Sequence, residues 1–275
     1  MVSTRVGPEV EKVNSVSTAT KIVLILEYNG ANYYGFQLQA GQPTIQGELE
    51  KAIAKLTGER TRVLGASRTD TGVHAMGQVV SFRTWSSLPV KAFINGMNYY
   101  LPADIAVRTA HKVNDSVNVR RQAISREYRY SILNRQTRSP LRDEFSYLVS
   151  GRLNIEDMNE ASKALLGEHD FASFTSDMGL KSTVRRVYRA ETKREEDCVV
   201  YTMVANSFLS HQVRATVGSL IRVGLGKMSA SHFYDIIEAK KPGLAGPVAP
   251  PSGLCLVKVN YSRPFEEYND ENVYD

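Results

Sequence analysis

The chain has 275 residues, 42% apolar and 23% charged, with a formal charge of +5 and a mean hydropathy of −0.28. These values are those of a globular protein with one or two cores, and they exclude a disordered chain. No run of about eighteen apolar residues is present, which excludes a membrane-crossing helix, and residues 1–20 carry Glu9 and Glu11 in place of a signal peptide's apolar stretch.

Residues 1–20 therefore read as a leader on a cytoplasmic protein. Lys21 to Tyr28 is a β-branched, strongly apolar run and predicts a central strand, ended by Asn29-Gly30. Tyr33, Tyr34 and Phe36 follow on a loop. Aromatics so placed can stack on bases, but they serve more often as buried plugs. Pro43-Thr44 opens a helix with Ile45, Leu49, Ala52, Ile53 and Leu56 on one face, and Gly58 stops it. Arg62 to Ala66 predicts a short strand and Gly77 to Phe82 a longer one. Between them, Thr69-Asp70-Thr71-Gly72 has turn chemistry, since Asp and Thr bond their own backbone and Gly admits positive φ. A helix over 90–98 and a strand over 104–113 complete a β-α-β-β-α-β unit, the ferredoxin-like arrangement.

The second half repeats the pattern. It predicts a strand over 125–133, a helix capped by Asn154 and ended by Gly167, and strands over 183–191 and 198–205. A helix over 209–223 and a last strand over 254–261 follow. The expected fold class is thus α+β: two ferredoxin-like halves, 21–115 and 116–262, joined into one pseudo-twofold sheet with helices on one side and a cleft between them. Loops are expected at 134–153, 168–182 and 242–251, and an acidic tail at 263–275. Cys198 and Cys255 are far apart, and the five histidines form no ligand-like pair, so no metal is assigned.

Charge is uneven. Residues 264–275 carry five acids and no Lys or Arg, which leaves residues 1–263 at +10. Residues 118–142 hold seven arginines against Glu127, and Lys181, Arg185, Arg186, Arg189, Lys193 and Arg194 face only Glu191. Arginine stripes of this kind suit phosphate backbones. Arg120, Arg126, Arg129, Arg185 and Arg186 are the candidate RNA contacts.

Taken alone, Asp70 is an ordinary turn residue and Arg68 a solvated cation. The whole string Gly65-Ala66-Ser67-Arg68-Thr69-Asp70-Thr71-Gly72-Val73-His74-Ala75, followed by Gly77-Gln78-Val79, carries more. It resembles the catalytic loop of the tRNA pseudouridine synthase A family, G-A-G-R-T-D-A-G-V-H-A then G-Q-V, departing only at Ser67 and Thr71. Arg126-Glu127-Tyr128-Arg129-Tyr130 is similar to the family's R-x-Y-x-Y strand, and Asn206-Ser207-Phe208 through Val213-Arg214 to its N-x-F-x-x-x-x-V-R segment. Gly253-Leu254 with Leu256 resembles its G-L-x-L end. The likeness spans about residues 21–262, with Arg121 standing where the family commonly has Phe.

The resemblance implies an isomerase that converts uridine to pseudouridine at positions 38, 39 and 40 of the tRNA anticodon stem-loop. It also implies tRNA as partner, a homodimer, no cofactor and no membrane. Asp70 is then the catalytic nucleophile. Arg214 is the cation that opposes its protonation in a dry site. Tyr128 lies against the uracil, and Arg68 enters the space the extruded base leaves. Leu254 either presses on the base or belongs to the core. His74 reads as a structural hydrogen-bonder. The C5 proton acceptor, and attack at C1′ or at C6, stay open.

Overall fold

The structure, a computed structural model, describes residues 19–177, 179 and 182–268. Most of the leader, Lys181 of the second basic cluster and residues 269–275 of the acidic tail lie outside the described residues.

In the first half the chain forms β1 (Thr20–Tyr28), α1 (Ile45–Thr57), β2 (Leu64–Gly65), β3 (His74–Thr84), α2 (Val90–Tyr100) and β4 (Ile105–Val113). The local signals explain α1. The Thr44 hydroxyl accepts from the Gly47 amide at 3.2 Å, and Gly58, at φ 76°, returns its amide to the Ala54 carbonyl. Ile45, Leu49, Ala52 and Ile53 are buried on its inner face. The second half forms β5 (Ser125–Leu133), β6 (Tyr147–Leu148), α3 (Ile155–Lys163), β7 (Gly167–Asp170), β8 (Val184–Glu195) and β9 (Cys198–Ala205). It ends with α4 (Gln212–Gly224), α5 (Ala230–Ala239) and β10 (Leu254–Asn260).

One sheet runs in the order β4-β1-β3-β10-β5-β9-β8-β7, with β2 on β3 and β6 on β5. The duplication is visible in that order. In the first half the strands stand as β4-β1-β3-β2, and the second half repeats the connectivity as β10-β5-β9-β8. The halves meet where β10 runs parallel to β3, Cys255 opposite His74 and Leu256 opposite Ala75. This join links the third strand of one half to the last strand of the other. A single buried apolar cluster spans both halves, from Val23 and Phe93 to Tyr201 and Val217.

Several elements depart from the sequence pattern for local reasons. The strand expected over 62–66 keeps only Leu64 and Gly65, because β10 takes the same edge of β3 near His74 and leaves β2 only Val80 and Ser81. Gly167 does not end α3. It starts β7, which extends the sheet beyond β8 inside the loop expected at 168–182. Helix α4 begins three residues after Leu209, since Leu209–His211 form a turn with His211 at φ 62°. Helix α5 escaped the periodicity reading, although Ser229 caps it and Phe233, Ile236 and Ile237 are buried at helical spacing.

The Pro-rich segment before β10 runs over α4 as a strap. The Ala249 amide donates to the Arg214 carbonyl at 3.1 Å. A Cβ on Gly218 would lie 1.7 Å from the Pro247 carbonyl oxygen, so only glycine admits the strap there. The start of the acidic tail is docked: Phe265 and Tyr268 are buried, and the Tyr268 carbonyl accepts from the Asn114 amide at 2.8 Å. Among the described residues no helix is long and apolar enough to cross a membrane.

Candidate active site

The segment Ala66–Gly72 leaves the sheet after β2 and returns in β3, and its backbone is tied at nearly every step. The Ala66 amide donates to the Val79 carbonyl at 2.8 Å. The Gln78 side chain accepts from the Ser67 amide and donates to the Ser67 carbonyl at 2.8 Å. The Thr69 hydroxyl pairs with the Tyr28 phenol at 2.8 Å, and the Thr69 carbonyl accepts from the Phe36 amide at 3.1 Å. A turn bond from the Val73 amide to the Asp70 carbonyl closes the loop. These bonds leave the Asp70 carboxylate projecting from a rigid support.

Tyr33 and Phe36, 5% and 3% exposed, are the plugs beneath this loop, as their sequence context favoured. The Gly72 amide donates to the Tyr33 carbonyl at 3.2 Å. Gly35, at φ 84°, passes so close that a Cβ would lie 2.7 Å from the Thr69 carbonyl oxygen. Tyr34 is half exposed and lines the cleft above.

That cleft has a volume of about 540 Å³, and its walls include Arg68, Asp70, Tyr128, His211, Arg214 and Leu254. An Arg214 Nη1 donates to Asp70 Oδ2 at 3.2 Å, while its Nε donates to the Ala249 carbonyl at 2.8 Å. The guanidinium is thereby aimed by the strap. The Arg214 side chain is 14% exposed and that of Asp70 26%, so the pair is half withdrawn from water with one side open to the cleft. Tyr128 is 4% exposed. Its phenol pairs with the Ser67 hydroxyl at 3.0 Å, and its ring meets Phe208 edge to face at 5.1 Å. Burial pushes the Tyr128 phenol up to about 12. Leu254 is buried and also lines the cleft, so it is at once core and wall.

The arginines divide. Arg68 and Arg120 are exposed at the cleft, and Arg68 makes no hydrogen bond or ion pair with the described residues. Arg185 also lines the cleft. Its Nη1 bonds the Ser182 and Val184 carbonyls, and its Nε is buried without a partner among the described residues. Arg126, read from sequence as an RNA contact, is corrected by its surroundings. It is 7% exposed, and its guanidinium donates to the carbonyls of Ala66, Arg120, Ala123 and Asn206. Its donors are directed at the protein's own backbone. Arg129 pairs with Glu127 at 3.2 Å on the face of β5 opposite Tyr128, and Arg186 pairs with Glu168 at 3.2 Å; neither lines the cleft.

His74 is buried. Its Nδ1 accepts from the Gly30 amide at 3.1 Å and its Nε2 donates to the Ser252 carbonyl at 3.2 Å, which assigns the neutral tautomer. Burial lowers its pKa. The structural reading of His74 agrees with these contacts.

Two cleft residues carry no role in the sequence reading. His211 Nε2 lies 3.7 Å from Asp70 Oδ2, within ion-pair reach but beyond a hydrogen bond. Phe208 walls Tyr128. The signal for His211 was its spacing: it precedes Arg214 by three residues, which puts both on one side of the α4 start. Among the described residues no group of three or more His, Cys, Asp or Glu could hold a metal, and Cys198 and Cys255 are free thiols.

A model of the tRNA pseudouridine synthase family matches residues 24–120 and 161–262. The chain belongs to that family. Its first matched segment carries Asp70 and its second Arg214; Tyr128 falls between them. Curated relatives include the tRNA pseudouridine synthase A of Thermoanaerobacter sp. (strain X514), 42% identical over 87% of this chain and 99% of that protein. The tRNA pseudouridine synthase A of Geobacter sulfurreducens is 43% identical over the same shares. Among solved structures, a chain of the archaeal box H/ACA sRNP Nop10-Cbf5 complex aligns over 73% of this chain and 43% of its own, at 9% identity and a TM-score of 0.29. Pseudouridine synthases are isomerases, and the chain is an enzyme of that class.

Proposed function

We propose that this chain isomerises uridine to pseudouridine at positions 38, 39 and 40 of the tRNA anticodon stem-loop, with Asp70 as nucleophile and without a cofactor. The observation that carries the reading is the Arg214–Asp70 pair, half withdrawn from water on the wall of a cleft that Tyr128 also lines.

The target uridine leaves its stack, at a cost of a few kcal/mol, and Arg68 fills the vacated space. Arg120 and Arg185 meet phosphates at the rim. Tyr128 and Leu254 hold the uracil against Asp70. The carboxylate forms a transient bond to the sugar C1′ or to the base C6, and the N1–C1′ bond breaks. The uracil turns and C5 bonds to C1′. The bond to the Asp70 carboxylate breaks, as C5 displaces it from C1′ or by elimination from C6, the C5 proton leaves and N1 takes up a proton. Atoms and electrons balance within one nucleotide, so no redox partner is consumed. Arg214 supplies positive charge to the Oδ2 of Asp70 while the base covers it, which leaves Oδ1 for attack. The protein works as a homodimer in the cytoplasm in this reading.

Tritium release from tRNA carrying uridine labelled at C5 tests the assignment. Asp70→Ala is expected to lose turnover by several orders of magnitude while still binding tRNA with an affinity that falls as salt rises. Turnover of Asp70→Ala at the wild-type rate would remove the nucleophile. Salt-sensitive tRNA binding by the wild-type chain, without product, would leave only an RNA-binding protein. Modified positions mapped outside the anticodon stem-loop would move the substrate.

A further inference from the structure

We infer that the Ser67 hydroxyl is a positioning group for the Tyr128 phenol, a device this chain carries where its family's loop pattern has glycine. The inference rests on the reading that Tyr128 acts on the base. Ser67 Oγ and the Tyr128 hydroxyl are 3.0 Å apart, and this is the one hydrogen bond of either hydroxyl among the described residues.

Ser67 itself cannot drift. Both its backbone polar groups are held by the Gln78 side chain, and Gln78 is fully buried in β3 and reaches the Tyr28 phenol at 3.4 Å. The preceding Ala66 carbonyl is held by Arg126 at 3.0 Å. On the other side, the Tyr128 ring is fixed by its place on β5 and by the edge of Phe208. The hydroxyl pair therefore bridges two rigid walls, one from each half of the chain, next to the carboxylate of Asp70.

A hydroxyl pair has one shared proton and one left over. When Ser67 donates, the phenol keeps its own proton and can direct it into the cleft toward a uracil oxygen. When Tyr128 donates, its outward lone pairs face the base. With glycine at position 67 the phenol would have no protein partner there, and its hydrogen could swing freely. Ser67 thus fixes the direction from which the phenol meets the reacting ring. That interaction acts while the base is turning and adds nothing to RNA affinity, which resides in the rim arginines.

A double-mutant cycle on the full chain tests this, with kcat and KM from single-turnover and steady-state tritium release and with thermal unfolding as the fold control. Ser67→Ala is expected to lower kcat about three- to tenfold, the worth of one net hydrogen bond, with KM unchanged and a cooperative unfolding transition kept, its Tm lower by a few degrees as the buried phenol loses its partner. The same substitution in a Tyr128→Phe background is expected to change nothing further. Ser67→Gly, which also removes the hydroxyl, is expected to show the same kcat loss and guards against a fault peculiar to alanine. A wild-type kcat in Ser67→Ala and Ser67→Gly overturns the inference, as does an equal loss in the Tyr128→Phe background. Full kcat in Tyr128→Phe alone would also overturn the inference, since the phenol would then take no part in turnover, while the ring's hold on the uracil under the proposed function would stand.

Discussion

Arg126 offers the sharpest division between a structural and an RNA-binding arginine. Arg126→Met keeps much of the aliphatic stem and removes the four donations, at 3.0 Å to Ala66, 2.8 Å to Arg120, 3.2 Å to Ala123 and 2.7 Å to Asn206. A hydrogen bond from a charged donor is worth about 1.5–3 kcal/mol, and a carbonyl left dry costs about 1–3 kcal/mol. Only the Ala66 bond is fully buried; the other three carbonyls regain water in part. Removing the charge also relieves the desolvation that lowers the guanidinium's pKa. The net loss is about 3–4 kcal/mol, which for a chain of this size lowers Tm by about 6–16 °C. Thermal unfolding and the salt dependence of tRNA binding, measured on the same variant, decide the matter. The expected result is a large fall in Tm with the slope of log K against log salt unchanged. An unmoved Tm with a slope reduced by about one contact's worth would refute the reasoning and restore Arg126 to the RNA surface.

Arg214→Met is expected to cost about 2–3 kcal/mol of transition-state stabilisation, roughly 30- to 150-fold in kcat, by removing the donor to Asp70. Arg214→Lys is expected to recover only part of this, because one ammonium nitrogen does not reproduce the two donors, Nε to the Ala249 carbonyl and Nη1 to Asp70, that the planar guanidinium holds in fixed geometry; wild-type kcat in the lysine variant would count against the pairing. Gly35→Ala forces a side chain into positive φ and against the Thr69 carbonyl. It is expected to lose about 1–2 kcal/mol of stability in urea unfolding, with a parallel fall in kcat. His74 has its pKa lowered by burial, so the folded state favours the neutral ring. Its contribution is present in full above the unfolded value of about 6.5 and is lost as pH falls below that toward the depressed folded value. Urea unfolding between pH 7.5 and 5.5 should therefore show a steeper acid loss in wild type than in His74→Gln, and equal slopes would exclude the assignment.

Much of the architecture was legible because it rests on local signals. Thr44 and Gly58 mark α1, β-branched runs mark β1 and β9, and the β-α-β-β-α-β order is a one-dimensional property. What escaped depended on partners distant in the chain. The shortening of β2 follows from the arrival of β10 on the same edge, about 190 residues later. The start of α4 at Gln212 depends on a turn that puts His211 at positive φ, which periodicity does not record. At the site, Asp70, Tyr128 and Arg214 were readable through family strings, and the cleft gathers all three. Arg126 lies inside such a string too, yet the likeness alone does not say what its guanidinium meets. Alternation along β5 puts Arg126 and Tyr128 on one face, so an arginine there had to point inward at the loops it binds.

The join between β3 and β10 has a consequence for the life of the chain. The loop that bears Asp70 is complete once the first third has emerged, but the guanidinium that reaches it is 144 residues further on, and the strap that aims that guanidinium comes later still. A nascent or truncated polypeptide can thus present the acid without its counter-charge or its second wall. On the proposed reading, turnover needs both walls and the strap in place, so catalysis would report that the whole molecule has closed.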